Sequence, residues 1–204
     1  MKFLTGIMNN RIIRMTLMLW LAVPITAFAG TALETVKAQA DNVLTILKDP
    51  SLKPETERKA KTARIRSITE KMFDFTELSK RTLAKSWDTF NPDQQNEFIR
   101  LYKSLLEDAY ADKILAYSGE KIVFTKEVPL TGKAVEVQSK VLRKNGEIPI
   151  YYRVIFRDGV WRVYDVVIEG VSLVSNYRSQ FREILIRKPP ESFLETIRKK
   201  FRDN

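Results

Sequence analysis

The sequence predicts an α+β fold, in which N-terminal and C-terminal helices pack on a curved antiparallel sheet of four strands. Three observations support this prediction. Apolar residues recur at helical spacing before Gly119 and again after Gly170. Between these two glycines, apolar and polar residues alternate. Two dipeptides typical of tight hairpins, Asn145-Gly146 and Asp158-Gly159, divide this middle stretch.

The start of the chain is predicted to be a signal peptide. Three basic residues precede an apolar run from Leu17 to Ile25, and Ala27-Phe28-Ala29 follows that run. This order is typical of secretory signal peptides, and the run is shorter than the roughly 20 residues of a membrane span. A short anchor helix is the other interpretation. We expect residues 1–29 to be removed, which leaves one exported domain over residues 30–204.

The composition excludes several kinds of chemistry. The chain has no cysteine and no histidine, so disulfides, cysteine nucleophiles, cysteine or histidine metal sites and histidine-based triads are all excluded. A glycosidase that uses carboxylates stays open. Removing the three basic residues of the leader lowers the net charge from +10 to +7. In an exported protein this charge favours anionic headgroups or an acidic protein over nucleic acid, or serves solubility alone.

Two helices are predicted in the first part of the exported chain. The first has apolar residues spaced by four, three and four, namely Val36, Ala40, Val43 and Leu47. The second runs from about Glu55 to Met72 and has a narrow apolar stripe surrounded by basic residues. We interpret this basic surface either as a solvated face or as a docking surface. As a docking surface it would include Arg58, Lys61 and Arg64.

Capping residues locate two further helices. Asp74 or Thr76 can cap a short helix that runs through Ala84. Asn91-Pro92 is typical of a helix cap followed by a proline at the first helical position, so the longest helix is expected to begin there. Gly119 is expected to end that helix as its C-terminal cap.

Four strands and two last helices complete the prediction. The strands are expected at Lys121–Val128, 135–141, 150–156 and Trp161–Ile168, joined as a meander. Gly170 is expected to break the sheet. Helical spacing resumes at Leu173, and Pro189-Pro190 separates that helix from a last one, marked by Phe193, Leu194, Ile197 and Phe201.

No catalytic constellation is predicted. Ser79-Lys80 is a pair of sequence neighbours, and neighbours on a helix point in different directions. Asp165 and Glu169 have no fixed separation, because they stand at the end of a strand. The remaining signal is a surplus of apolar and aromatic residues. Such a surplus fits an ordinary closed core or, alternatively, a core that stays open as a dry cavity for acyl chains.

Two blocks of sequence resemble one known family. The first lies between Asp158 and Phe181 and reads DGVWRVYDV, then EGVSLV and NYRSQF. The second contains Trp87, the run DQQNEF at 93–98, Leu105-Leu106, Tyr110 and Tyr117. Together they resemble the MlaC / toluene-tolerance family of periplasmic phospholipid-binding proteins, over nearly all of the exported chain. One departure is Leu83-Ala84, where the family usually has Leu-Gly.

The resemblance implies a soluble periplasmic shuttle with no enzymatic activity, no cofactor and no metal. Its cargo would be diacyl phospholipid, with the tails in the apolar cavity of an NTF2-like cone and the headgroup exposed. The implied partners are an outer-membrane lipoprotein complex and an inner-membrane ABC transporter with an MCE-domain subunit. Exchange of lipid between these complexes would maintain the lipid asymmetry of the outer membrane. Nucleic acid is not an expected partner.

We expect the cavity to be lined by apolar and aromatic residues from both helices and sheet. They are Phe75, Leu78, Trp87, Phe98, Leu101, Leu105, Val137, Tyr152, Val154, Val166, Val171, Val174 and Tyr177. Two other functions stay open. One is a periplasmic chaperone for lipoproteins or outer-membrane proteins. The other is an enzyme on an NTF2-like cone, which would need a carboxylate or tyrosine pair with a shifted pKa in the pocket.

Overall fold

The structure is a computed structural model, and it describes residues 30–52 and 55–202. The predicted signal peptide lies outside these residues. The described chain is an α+β fold with six α-helices and five strands. The helices are α1 Ala32–Lys48, α2 Arg58–Met72, α3 Phe75–Leu83, α4 Pro92–Leu115, α5 Leu173–Leu185 and α6 Pro190–Arg202. The strands are β1 Lys121–Pro129, β2 Ala134–Arg143, β3 Gly146–Arg157, β4 Val160–Ile168 and β5 Val171–Ser172.

The helix starts follow their capping residues. The side chain of Asn91 accepts a hydrogen bond from the Gln94 N–H at 2.9 Å, and Pro92 begins α4. Asp74 caps α3 by accepting from the Glu77 N–H at 2.8 Å. Both starts confirm the sequence prediction, because a cap depends on residues within one turn.

Two predicted helix ends differ from the structure. A short 3₁₀ turn at Glu55–Glu57 precedes α2, which therefore begins at Arg58. Helix α4 ends at Leu115 rather than at Gly119, because the Tyr117 N–H turns back to the Ile114 carbonyl at 3.2 Å. This 3₁₀-type bond tightens the last turn and stops the helix early.

The sheet has five strands in the order β1-β2-β3-β4-β5, so the prediction of four strands was wrong. Each neighbouring pair is antiparallel. The fifth strand exists because Glu169 and Gly170 both take left-handed backbone angles, φ 50° and 82°. Two such residues make a tight hairpin turn, so Gly170 folds the chain back onto β4 instead of ending the sheet.

The other predicted hairpins are present, and one is shifted. Asp158 and Gly159 take φ 53° and 79° between β3 and β4, as the turn type requires. In the β2–β3 hairpin the two turn residues are Lys144 and Asn145, while Gly146 already pairs with Arg143. The turn therefore lies one residue before the predicted dipeptide.

A bulge in β4 changes which side chains share a face. Arg153 pairs with Asp165, but the next residue, Val154, pairs with Val163, so Tyr164 has no partner across the ladder. The Tyr164 ring instead lies 4.1 Å beneath the guanidinium of Arg81 on α3. This irregularity attaches α3 to the sheet.

Candidate functional site

The apolar residues form two clusters. The sheet cluster consists of buried residues of α1, α2 and the sheet: Ala32, Val36, Met72, Val137, Val154, Val163 and Val166. The helical cluster consists of buried residues of α3 to α6 and the turn after α3: Leu78, Leu83, Trp87, Phe90, Phe98, Tyr102, Leu105, Leu106, Val174, Phe181, Phe193, Leu194 and Ile197. Phe73, between α2 and α3, packs against both clusters. The described chain is therefore built as two apolar bodies that share Phe73 as a neighbour.

Tyr102 shows how closely the helical cluster is packed. Its ring centroid lies 5.3 Å from that of Phe98, 5.3 Å from Tyr177 and 5.4 Å from Phe181. Its hydroxyl accepts a hydrogen bond from Thr82 at 3.3 Å, and burial raises the pKa of Tyr102 above its ordinary range. These rings pack closely against one another, so this part of the cluster is a closed core.

A set of half-buried apolar side chains packs against the two clusters. We call seven of them the apolar margin. On the sheet side they are Phe124, Ile150, Tyr152 and Ile168, and on the helix side Leu101, Tyr110 and Tyr177. Each packs against a cluster and still exposes part of its surface. Such surface would be covered by an apolar ligand at a gain of about 25 cal/mol per Å².

Tyr152 is the polar-tipped member of the sheet side. Its ring stacks on Phe124 with the centroids 6.2 Å apart. Burial raises the pKa of Tyr152 to about 12, so its hydroxyl stays uncharged at neutral pH. Beside it, the hydroxyl of Ser139 donates a hydrogen bond to the Ile150 carbonyl at 2.8 Å. The inner face of the sheet therefore presents no charge at this point.

The thirteen predicted lining residues fall into three groups. Eight are buried within the two clusters: Leu78, Trp87, Phe98, Leu105, Val137, Val154, Val166 and Val174. Four are half-buried: Phe75, Leu101, Tyr152 and Tyr177. Val171 is 56% exposed and pairs with Ile168 at the end of the sheet.

The predicted lining did not include four residues of the apolar margin, namely Phe124, Ile150, Ile168 and Tyr110. Ile150 could have been found, since it shares the alternation that places Tyr152 on the inner face. Ile168 could have been found in the same way, since it follows Val166 of the predicted lining by two residues and no bulge lies between them.

The predicted docking residues lie on α2, and each contacts the protein itself. Arg58 forms an ion pair with Asp112 of α4. Lys61 Nζ donates to the Leu47 carbonyl at 3.4 Å, and Arg64 Nη1 lies 3.7 Å from Asp49 Oδ2. Arg58 and Arg64 are exposed, while Lys61 is half-buried.

The carboxylates considered for chemistry are separated or already used. Glu169 is exposed in the turn before β5, whereas Asp165 is buried and bonded to Ser172, Val174 and Arg153. Among the described residues there is no group of three or more acidic, cysteine or histidine side chains that could hold a metal ion. Within the same part of the chain, no helix is both long enough and apolar enough to cross a bilayer.

A surface depression of about 470 Å³ lies elsewhere, where α5 meets α6. It is lined by Glu183, Ile184, Ile186, Arg187, Lys188 and Thr196. It shares no residue with the predicted lining, and four of its six side chains are polar or charged. It is therefore a poor match for acyl chains.

Comparison with known families agrees with the resemblance seen in the sequence. The family described as MlaC protein matches residues 37–199. This match covers most of the chain, and the chain belongs to the MlaC family. The family predicted from the sequence is thereby confirmed.

Two curated relatives align with part of the chain. The intermembrane phospholipid transport system binding protein MlaC of Haemophilus influenzae is 27% identical over 101 residues, 47% of this chain and 47% of that protein. Toluene tolerance protein ttg2D of Pseudomonas putida is 28% identical over 97 residues, 47% of this chain and 45% of that protein. The chain thus spans about half the length of the curated relatives it matches.

A solved structure has a similar fold over most of the chain. It is the phospholipid-binding protein from Ralstonia solanacearum in complex with a phospholipid. The two structures superpose with a TM-score of 0.72 at 25% sequence identity, covering 83% of this chain and 96% of that one. The architecture described above is therefore one that holds a phospholipid in another protein.

Proposed function

We propose that this chain is a periplasmic phospholipid-binding transport protein, which holds acyl tails between the sheet and the helices. The observation that carries the proposal is the apolar margin, a set of half-buried apolar side chains that pack against the sheet cluster or the helical cluster. The family and the phospholipid-bound relative support the same ligand. No covalent chemistry is needed for this function.

The energetics suit a carrier. Each CH₂ moved out of water gains about 0.8 kcal/mol, so one acyl chain gains on the order of 10 kcal/mol before the cost of ordering it. That is enough to keep a lipid tail out of water during transit. The uncharged inner face at Tyr152 imposes no cost of burying a charge against the tails.

We assign the tail contacts to the half-buried members of the predicted lining together with the sheet side of the apolar margin. These are Phe75, Leu101, Tyr152 and Tyr177, with Phe124, Ile150 and Ile168. The fully buried members, such as Phe98 and Val154, support the walls from behind. The headgroup stays outside, so little headgroup selectivity is expected.

The shuttle cycle and its partners form part of the same proposal. Lipid is exchanged between an outer-membrane lipoprotein complex and an inner-membrane transporter with an MCE-domain subunit, and Arg58, Lys61 and Arg64 face those partners. A signal peptide over residues 1–29 delivers the chain to the periplasm. N-terminal sequencing of the exported protein should begin at Gly30.

Native mass spectrometry of the purified protein tests the proposal directly. Wild type should carry phospholipid. Ile150→Glu places a charge on the inner face and should release the lipid, whereas Tyr151→Glu places it on the opposite face of the same strand and should not. Circular dichroism and melting temperature confirm that both variants fold. Wild type without lipid, or equal lipid in both variants, would contradict the proposal.

A further inference from the structure

The two apolar bodies are linked by charges on α2 and α4. Helix α2 packs on α1 and β4, and its Met72 belongs to the sheet cluster. Helix α4 packs on α3 and α6, and its Phe98 belongs to the helical cluster. A contact between these two helices therefore joins the sheet side of the protein to the helical side.

Besides the Arg58–Asp112 pair, four side chains make this contact. Arg66 Nε lies 2.9 Å from Glu107 Oε2, and Lys103 Nζ lies 3.8 Å from the other oxygen of Glu107. Lys103 also forms an ion pair with Glu70. We call Arg66, Glu70, Lys103 and Glu107 the charge clasp. The two helices run antiparallel at this point, because 66 meets 107 and 70 meets 103.

One member of the charge clasp, Lys103, lies near an aromatic pair that includes Phe73, the residue that packs against both clusters. Lys103 Nζ is 5.7 Å from the centre of the Phe75 ring. Phe75 stacks on Phe73 with the centroids 5.6 Å apart, and Phe73 packs against both clusters. The charge clasp thus contacts, through Lys103, the aromatic pair that adjoins both clusters.

The charge clasp is closed but incompletely satisfied. The side chain of Glu107 is only 17% exposed, and its Oε1 is buried without a hydrogen-bond partner. Burial raises the pKa of Glu107, although Arg66 and Lys103 act in the opposite direction. When desolvation offsets attraction in this way, an ion pair contributes little to stability. Opening it into water is correspondingly cheap, whereas opening an apolar helix contact would expose surface at about 25 cal/mol per Å².

We propose that acyl chains pass in and out through the seam between α2 and α4, and that the charge clasp holds this seam closed while lipid is bound. The inference rests on the proposed function and adds the route by which its ligand moves. Opening separates α2 from α4 without unpacking either cluster. Exchange is then limited by the opening of the charge clasp, as lid opening limits many ligand-binding cycles.

Reversible cross-linking tests the route, because the chain has no cysteine of its own. Glu70→Cys with Lys103→Cys places two thiols across the charge clasp, to be joined by a short cross-linker that a reductant cleaves. The matched control is Glu97→Cys with Arg198→Cys. It replaces an ion pair of 2.5 Å between α4 and α6, within the helical side.

Each variant is loaded with a fluorescent phosphatidylcholine and mixed with phosphatidylcholine vesicles that contain a quencher. Cross-linking the charge clasp should slow transfer about tenfold or more, and reduction should restore the rate. The control should transfer equally fast before and after cross-linking. Equal slowing in both variants, or none in the clasp variant, would overturn the route while leaving lipid binding intact. A wild type that takes up no lipid would overturn the proposed function itself.

A second variant opens the seam instead of locking it. Glu70→Gln with Glu107→Gln removes both acidic members of the charge clasp. Wild-type transfer should accelerate as salt screens the ion pairs. The double variant should be fast at low salt and respond less to added salt than wild type, because it keeps only the Arg58–Asp112 pair of the ion pairs named here between α2 and α4. Slower transfer by the double variant would contradict the proposal.

Discussion

The buried carboxylate of Asp165 accepts a hydrogen bond from the backbone N–H of Val174 at 3.0 Å. Its second oxygen accepts from the Ser172 hydroxyl at 2.6 Å and from Arg153 Nη1 at 3.1 Å. Asp165 thereby ties the first turn of α5 to β4, with a negative charge at the positive end of the helix. It also joins the end of the sheet to the helical cluster, to which Val174 belongs.

Asp165→Asn should lower the free energy of unfolding by about 3 kcal/mol, because it removes one charge of a buried pair and leaves Arg153 without its deeper partner. Urea denaturation measures this loss. The control is Glu136→Gln, which removes the other carboxylate of Arg153, 3.3 Å from Nε. It should cost about 1 kcal/mol, since α5 keeps its attachment. Equal losses in the two variants would show that the contact with α5 contributes nothing.

Ala84 is strained, and Ala84→Gly should stabilise the protein. Its backbone angles are φ 49° and ψ −121°, a conformation that favours glycine. Glycine relieves the strain in the folded protein but also increases the entropy of the unfolded chain, which opposes the gain. The net effect should raise the free energy of unfolding by about 1 kcal/mol. Ala63→Gly makes the same change in the exposed interior of α2 and should lower it by about 1 kcal/mol. Thermal unfolding compares the two variants. Lower stability in both would contradict the interpretation that Ala84 is strained.

Glu77 should contribute stability that disappears in acid. Burial raises its pKa, but hydrogen bonds from Arg157 and Arg81 outweigh burial and hold the pKa below the ordinary 4.5. A carboxyl whose pKa is lowered on folding stabilises the protein above its unfolded pKa, and this contribution is lost as pH falls. The difference in unfolding free energy between wild type and Glu77→Gln should be greatest at neutral pH. It should shrink as the pH falls below about 4.5.

The contribution of Glu107 to the free energy of unfolding should change with pH in the opposite direction, which the same experiment can measure. Burial raises its pKa, so its relative contribution is greatest in acid and declines as pH rises. Parallel pH curves for Glu77→Gln and Glu107→Gln would contradict both assignments.

Substitutions at Val171 and Val174 should have different effects, because Val171 is exposed and Val174 belongs to the core. Val174 is 3% exposed, so Val174→Glu should destabilise the protein by several kcal/mol. Val171 is 56% exposed, so Val171→Glu should melt like wild type. If Val171 faces the acyl chains, the variant should carry less phospholipid in native mass spectrometry. Retention of the full amount would show that Val171 lies away from the ligand.

The basic face of α2 should matter for docking at low salt. Lys61→Glu with Arg64→Glu reverses two charges and leaves the Arg58–Asp112 pair in place. Lipid content should be unchanged, and transfer to a purified partner complex should be slower, with the difference fading as salt rises. Lys199→Glu with Lys200→Glu makes the same change of charge on α6 and should transfer normally. Equal transfer by both variants would show that the basic face of α2 is a solvated surface and takes no part in docking.

Several features of this protein are determined by short stretches of sequence. Asp74 and Asn91 cap their helices because a cap needs only the next three residues. Asp158-Gly159 makes its hairpin because those two residues tolerate left-handed angles. The α+β class follows from the change of period from helix to strand and back. The family followed from blocks of sequence, since a resemblance needs no coordinates.

Other features depend on contacts between distant parts of the chain. Glu169 takes a left-handed angle that its residue type does not favour, because pairing of β5 with β4 compensates the cost, so sequence pattern missed the fifth strand. Phe75 and Leu78 look equally apolar in sequence, yet Leu78 is fully buried and Phe75 is half-exposed beneath Lys103. The charge clasp joins residues that are more than thirty positions apart. Periodicity reports which face of an element is apolar, but only the packing of the elements decides whether that face is closed by protein or left for a ligand.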